Sequence, residues 1–194
     1  MVPGILALLV TMVGGLMSAL NIVSEKEIGT MEQLNVTPMK GYHFLLGKLV
    51  PFWVLGLVSI TLGLLVAFVI YGIVPRGSYF TIYFFSGVYL IGALGVGLLL
   101  STLAETQMQA TLISFFIIMF FVLMGGLYTP LESMPRWAQV LSEFNPVGYF
   151  IRVMRFIVIK GSGIRDLWRE LRAMILFAVV LNTFAVWNYR KRAA

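Results

Sequence analysis

Few side chains in this sequence are suited to acid–base, nucleophilic or metal chemistry. Its single histidine is His43, and the absence of cysteine excludes a disulfide framework or a thiolate metal site. There is no HExxH zinc motif and no GxSxG nucleophile motif. Gly47-Lys48-Leu49 is not a phosphate-binding loop, because the required upstream glycine is missing and Leu49 replaces the metal-binding hydroxyl. A membrane-embedded enzyme is therefore disfavoured, and any nucleotide must be bound by another chain.

A group of charged residues lies at positions 24–27, Ser-Glu-Lys-Glu, and fits a capping box. In such a box the Ser24 hydroxyl and the Glu27 carboxylate each accept a hydrogen bond from a free backbone amide at the start of a helix. The pattern predicts a helix from Ser24 to about Val36. It must end before Pro38, because the proline ring disfavours helical geometry at the residue that precedes it.

This predicted helix is amphipathic. Apolar residues recur on one face, whereas acidic residues and a glycine fall on another. The apolar face consists of Ile28, Met31 and Leu34, and the other face of Glu25, Gly29 and Glu32. We expect the helix to lie at a membrane surface with its acidic side chains exposed. The alternative is an interfacial helix that only connects two membrane spans.

The elements around this segment are long and apolar. The chain is 60% hydrophobic and 11% charged, against roughly 45–50% and about 25% in a soluble domain. Five stretches approach the length of about 20 residues that a helix needs to cross a bilayer. They run approximately from Val2 to Val23, Leu49 to Val74, Phe80 to Leu103, Met108 to Tyr128 and Ala173 to Tyr189. The sequence predicts an all-α integral membrane protein, a single domain over residues 1–194, because backbone in lipid must satisfy its own hydrogen bonds.

The basic residues indicate membrane anchoring but not orientation. The formal net charge is +6, and the basic residues lie at the ends of apolar stretches, which favours lipid over nucleic acid as a partner. If the C-terminus is cytoplasmic, that side carries Lys26, Lys40, Lys48, Arg190, Lys191 and Arg192. The opposite side then carries Arg76, Arg136, Arg152, Arg155, Lys160, Arg165, Arg169 and Arg172. The usual excess of Lys and Arg on the cytoplasmic side therefore does not select an orientation.

The last four spans contain no ionisable Asp, Glu, Lys, Arg or His, which disfavours an ion-coupled carrier. Small residues recur within the spans, and we expect them to serve tight packing inside the chain rather than a dimer seam. These are Gly14, Gly15, Gly92, Ala93, Gly95, Gly97, Gly125 and Gly126. The aromatic residues and methionines of the fourth span are expected to face lipid or to pack inside the bundle, and the alternative is that they line an apolar path for varied ligands. They are Phe115, Phe116, Met119, Phe120, Phe121 and Met124.

The residues from Ile22 to Pro38 resemble the "REKERGTLEQLLVTP" signature of ABC-2 type transporter permeases. The matching run is Ile22-Val23-Ser24-Glu25-Lys26-Glu27-Ile28-Gly29-Thr30-Met31-Glu32-Gln33-Leu34-Asn35-Val36-Thr37-Pro38. The resemblance extends over essentially the whole chain. It is also carried by Gly47-Lys48, Ser101-Thr102, Thr106-Gln107, Met134-Pro135-Arg136-Trp137, Asn145-Pro146, Arg152 and Lys160-Gly161.

The resemblance implies a permease subunit of an ATP-driven exporter for drugs, lipids or similar amphiphiles. Residues 24–40 would be a coupling segment that docks on a separate ATP-binding subunit, and that partner would bind ATP and Mg²⁺. The implied coupling residues are Glu25, Glu27, Gly29, Thr30, Glu32, Gln33, Thr37 and Pro38. This chain would hold no cofactor, metal or catalytic residue. A second permease subunit would complete a dimer in the cytoplasmic (inner) membrane, with the C-terminus in the cytoplasm.

The resemblance also assigns residues 129–172 to the outside of the cell. In the family this segment forms short re-entrant helices before the last span. The matching residues are Pro135, Trp137, Asn145, Pro146 and Arg152. A polysaccharide exporter of the same superfamily is the alternative. The chain departs from the family pattern because the first helix and the large external domain of a typical subunit are absent, so we expect a fragment or a late-assigned start.

Overall fold

A computed structural model describes the backbone of residues 2–29 and 41–193, and the side chains of residues 2–29 and 47–188. The long helices are α1 (Val2–Ile28), α2 (Gly41–Tyr71), α3 (Tyr79–Leu103), α4 (Gln107–Met124) and α7 (Trp168–Ala193). Two shorter helices, α5 (Arg136–Glu143) and α6 (Pro146–Arg155), lie between α4 and α7. The described part contains no strand. All five long helices are long and apolar enough to cross a membrane, which confirms the predicted all-α fold with five spans.

The helix ends differ from the predicted ones where glycines or charged residues lie beyond the apolar stretch. Helix α4 ends at Met124 rather than Tyr128, because Gly125-Gly126 follows and Gly126 has φ +79°. Helix α7 begins at Trp168 rather than Ala173. Its first turns contain arginine and glutamate, which are good helix formers, so the helix extends beyond its apolar part.

The predicted helix start at Ser24 is wrong. Helix α1 continues through this residue to Ile28. It ends because Gly29 has φ +79° and donates its N–H to the Lys26 carbonyl at 3.1 Å, a left-handed geometry that glycine adopts at little cost. A continuous helix from Ser24 to Val36 is therefore excluded. An amphipathic helix after Gly29 stays a prediction, because residues 30–40 lie outside the described part of the chain.

Helix α3 forms the centre of the bundle and contacts α1, α2, α6 and α7. Small residues permit this close packing. A Cβ atom added at Gly97 would lie 2.5 Å from the Gly15 carbonyl oxygen, and one added at Gly92 would lie 3.5 Å from the Cα atom of Ala178. At these positions the predicted packing of small residues inside the chain is confirmed.

The second region of the core lies around α6, which contacts α1, α3, α4 and α7. Side chains from most of its length are buried, namely Val147, Phe150, Ile151, Val153 and Met154. Helix α1 contacts this helix through its first part, Val2–Thr11, whereas the following turn of π-helix, Met12–Met17, packs against α2, α3 and α4. Large apolar side chains cover the outer surface instead, as at Phe116 of α4, which is 74% exposed. The bundle thus has a packed interior and an apolar exterior suited to lipid.

Candidate functional site

A polar cluster links the end of α1 to the ends of α2, α3, α4 and α7. We call it the helix junction. Its members are Asn21, Glu25, Lys26, Glu27, Lys48, Ser101, Thr102, Gln107 and Asn188. Five helix ends therefore meet through side chains, and residues 30–40 connect two of these helices, α1 and α2, along the chain.

Lys48 joins α1 to α2. Its ammonium group forms an ion pair with Glu25 and donates a hydrogen bond to Asn21 Oδ1 at 3.1 Å. The side chains of Lys48 and Glu25 are 18% and 27% exposed, so the pair is only partly solvated. Because Glu25 precedes residues 30–40 and Lys48 follows them, this pair holds together the two helices that the segment connects.

Lys26 joins α1 to α3. Its Nζ atom donates a hydrogen bond to the backbone carbonyl of Ser101 in the last turn of α3. Carbonyl groups in the last turn of a helix have no partner inside the helix and carry a partial negative charge. A lysine at this position supplies both a donor and a compensating charge, so it stabilises this end of α3.

Glu27 joins α1 to α4. Its Oε2 atom accepts hydrogen bonds from the backbone N–H of Gln107 at 3.1 Å and from Gln107 Nε2 at 3.0 Å. Gln107 is the first residue of α4, and Thr106 caps the same helix by accepting a bond from the N–H of Gln109 at 3.3 Å. A carboxylate at a helix N-terminus is favourable because the free amides there carry partial positive charge.

Helix α7 is tied to the same end of α3. Asn188 donates its amide N–H to Thr102 Oγ1 at 3.0 Å. Earlier in α7 and farther from the junction, Asn182 donates its amide N–H to the carbonyl of Ile91 at 2.8 Å. The two asparagines therefore fix α7 to α3 at two points along their length.

The structure brings together only some of the predicted coupling residues. Glu25 and Glu27 enter the junction, while Gly29 ends α1 and is exposed. The expected exposure of the acidic side chains is therefore wrong for Glu25. The remaining predicted coupling residues lie outside the described part of the chain, namely Thr30, Glu32, Gln33, Thr37 and Pro38.

The sequence interpretation missed Asn21 and Asn188 as junction residues. Their signal was available, since each is an amide side chain close to the end of an apolar stretch. The family resemblance includes Lys48 and Gln107, but nothing in the sequence indicates that either contacts α1. In the described part of the chain, no group of three or more His, Cys, Asp or Glu side chains is arranged to hold a metal ion.

At the opposite end of the bundle, Asn145 starts α6. Its Oδ1 atom accepts the N–H of Val147 at 3.0 Å, and its Nδ2 atom donates to the Phe121 carbonyl of α4 at 2.5 Å. Pro146 occupies the first position of the helix, where a missing N–H has no cost. Asn145 is almost fully buried, so it links α6 to α4 inside the protein.

Helix α6 reaches deep into the bundle. The ring of Phe150 stacks on Tyr89 with a centroid distance of 4.1 Å and an interplanar angle of 2°, and the Tyr89 hydroxyl is 2.7 Å from Thr11 Oγ1. Tyr89 lies near the middle of the 25-residue helix α3. A short helix before the last span thus packs beside the centre of a spanning helix, an arrangement compatible with the predicted re-entrant segment.

The other predicted residues of this segment lie apart from that contact. Pro135 precedes α5, and Trp137 on α5 is 62% exposed. Arg152 on α6 lies over the Tyr149 ring, with its guanidinium carbon 4.4 Å from the ring centroid. Only Asn145 and Pro146 therefore act together, as the start of α6.

Comparison with known proteins identifies the family of this chain. Residues 1–187 match the profile of the ABC-2 family transporter proteins. The chain belongs to this family. The ABC-2 chain is 29% identical over 191 residues to the "Probable multidrug ABC transporter permease YbhR" of Escherichia coli strain K12, an alignment that covers 98% of this chain and 52% of that protein.

Two further relatives agree. The "Probable multidrug ABC transporter permease YbhS" of the same strain is 30% identical over 162 residues, with 83% of this chain and 43% of YbhS covered. The "Linearmycin resistance permease protein LnrN" of Bacillus subtilis strain 168 is 22% identical over 181 residues, with 93% and 46% covered. The chain thus spans about half the length of the relatives it matches. It is a multi-pass membrane protein of a transport permease family.

Proposed function

We propose that this chain forms the membrane-spanning part of an exporter that uses ATP hydrolysed by a separate ATP-binding subunit. The proposal is supported by the match to the ABC-2 family and by relatives whose names describe multidrug and linearmycin-resistance permeases. The substrate class we propose is amphiphilic, such as a drug or a lipid. The partner subunit binds ATP and Mg²⁺.

The helix junction is the observation that carries the proposed mechanism. Residues 24–40 dock on the ATP-binding subunit, and closure of that subunit displaces the end of α1. Glu25, Lys26 and Glu27 then pass the displacement to α2, α3 and α4 through the bonds described above. Side-chain bonds between helix ends suit this role because they keep the ends together while the helices rock as a group.

A second permease subunit completes the transporter in this proposal. The large apolar side chains on the outer face of α4 provide area for contact with either a partner or lipid. The chain lies in the inner membrane with its C-terminus in the cytoplasm, which places the junction on the cytoplasmic side and α6 on the outer side. Cysteines introduced at Ala194 and Ser162 are expected to react with impermeant reagents from opposite faces. Labelling of Ala194 from outside intact cells contradicts this orientation.

The test of coupling compares Gly29→Leu with Gly29→Ala in the full-length subunit, reconstituted with its ATP-binding subunit. Both variants place a side chain at φ +79° and share the same backbone strain. Only leucine adds a large side chain to the exposed surface of the docking segment. We expect Gly29→Leu to lower substrate-stimulated ATP hydrolysis and transport together, and Gly29→Ala to retain most of both at equal membrane abundance. Full coupled activity in Gly29→Leu contradicts the proposal.

A further inference from the structure

A cavity of about 250 Å³ lies beside the end of α4, at the end of the bundle opposite the helix junction. We call it the arginine cavity. Its wall is apolar at Leu131, Ile151 and Phe156, and charged at Glu132, Arg152 and Arg155. Arg152 and Arg155 are three residues apart on α6, so both side chains project from the same face of the helix.

Both guanidinium groups retain hydrogen-bonding capacity. Arg155 Nη2 donates to the Gly126 carbonyl at 3.2 Å, which uses one of the five donors of an arginine. The Arg152 guanidinium lies over the Tyr149 ring, a contact that uses none of its N–H donors in a conventional hydrogen bond. Among the described side chains, neither arginine forms an ion pair with a carboxylate. The cavity therefore presents guanidinium donors that no described carboxylate pairs with, although Glu132 also lies in its wall.

The charges of the cavity favour a monoanion. Two arginines and one glutamate line it, and planar guanidinium groups match the geometry of phosphate oxygens. The surrounding segment is also basic, since residues 129–172 contain seven Lys and Arg but four Asp and Glu. A phosphodiester, which carries a single negative charge, fits these side chains.

The apolar surroundings indicate a lipid rather than a free anion. Leu131, Ile151 and Phe156 supply hydrocarbon contact inside the cavity. Helix α4 ends directly at the cavity, and its nearby side chains Phe120 and Leu123 are exposed on the lipid-facing surface. A ligand with a charged head in the cavity can therefore lay an acyl chain along α4.

We propose that the arginine cavity binds the phosphodiester headgroup of an anionic phospholipid from the adjacent leaflet. Arg152 and Arg155 hold the phosphate oxygens, and the acyl chain packs along α4. This site is independent of ATP coupling, because it lies at the other end of the bundle from the helix junction. Its lipid selectivity is a property of the isolated membrane chain.

The test is native mass spectrometry of the purified chain in detergent, titrated with phosphatidylglycerol, phosphatidylethanolamine or inorganic phosphate. We expect one phosphatidylglycerol to bind more tightly than the other lipid. Arg152→Gln/Arg155→Gln is expected to weaken that binding about tenfold or more, because charge-assisted bonds are lost. The matched control Arg169→Gln/Arg172→Gln removes the same charge from exposed positions on α7 and is expected to bind normally.

A steric variant separates loss of the site from loss of folding or charge. Leu131→Trp keeps both arginines and fills part of the cavity, so we expect weaker phosphatidylglycerol binding at unchanged thermal stability. Four outcomes overturn the proposal: equal loss in the α7 control, undiminished binding in both cavity variants, tighter binding of phosphatidylethanolamine, or displacement of the lipid by millimolar inorganic phosphate. Tighter binding of phosphatidylethanolamine indicates a site for a zwitterionic lipid, with Glu132 holding the ammonium group. Displacement of the lipid by inorganic phosphate indicates a site for free anions.

Discussion

The two ends of the bundle are held together by different physical means. At the helix junction, partly exposed polar side chains from α1 and α2 bond to each other and to the ends of other helices, as in the pair of Glu25 and Lys48. At the opposite end, α6 is buried by stacked and apolar side chains such as Phe150, and a single buried asparagine caps it. One end is tied by charge and the other by packing.

This difference predicts that the two ends of the bundle contribute differently to stability and to coupled motion of the helices. Ion pairs near a protein surface contribute about 0–1 kcal/mol, but they fix which groups move together. Tight packing of a large side chain contributes several times more, because its removal leaves a cavity. We therefore expect substitutions around α6 to lower stability and substitutions at the junction to lower coupling.

The largest expected effect is that of Phe150→Ala. Phe150 is fully buried and stacks on Tyr89, so truncation leaves a cavity and lowers the free energy of unfolding by about 3 kcal/mol or more. The measurement is reversible unfolding in mixed detergent micelles. Phe144→Ala is the control, since Phe144 is 69% exposed and is expected to change stability by less than about 0.5 kcal/mol. Similar values for the two variants contradict the role assigned to α6.

A smaller loss is expected at Asn145. Asn145→Ala removes the cap of α6 and leaves the Phe121 carbonyl without its amide partner, which costs about 1–3 kcal/mol. Asn145→Asp keeps an acceptor for the N–H of Val147 but removes the donor. Comparing the two variants by unfolding therefore separates the cap from the link to α4. Equal stability of Asn145→Ala and the wild type shows that this buried contact is dispensable.

The pair of Glu25 and Lys48 is expected to couple by about 1 kcal/mol, because both side chains are only partly buried. A double-mutant cycle with Glu25→Gln and Lys48→Met measures this interaction from four unfolding free energies. Each single variant is also expected to reduce substrate-stimulated ATP hydrolysis strongly in the reconstituted transporter. Additive stability effects together with intact coupling argue against the junction as a transmitting element.

The smallest expected effect on stability is that of Glu27→Ala. Glu27 is exposed and bonds only the start of α4 among the contacts described, so unfolding is expected to change by less than about 0.5 kcal/mol. Coupled transport is nevertheless expected to fall, because α4 loses its link to α1. Glu143→Ala, an exposed glutamate on α5, is the control and should leave both properties unchanged. A transport defect in the control as well points to a general effect of surface charge.

The sequence predicts the spans well because apolar length alone identifies a helix in lipid. It predicts the helix start at Ser24 wrongly, since serine and glutamate three residues apart occur both at helix starts and inside helices. The real signal was Gly29, which ends α1. The partners of Glu25 and Glu27 could not be predicted, because Lys48 and Gln107 reach them only through the folded arrangement of separate helices.

The interior of the spans has a consequence for how the proposed transporter responds to membrane voltage. Moving one elementary charge across a membrane potential of about 100 mV involves about 2.3 kcal/mol. No Asp, Glu, Lys, Arg or His lies in residues 49–71, 79–103, 107–124 or 173–188. In the transporter proposed above, rocking these helices displaces almost no charge of their own side chains, so we expect the electrical potential across the membrane neither to drive nor to oppose the motion. Its rate is expected to be the same in energised and depolarised membranes.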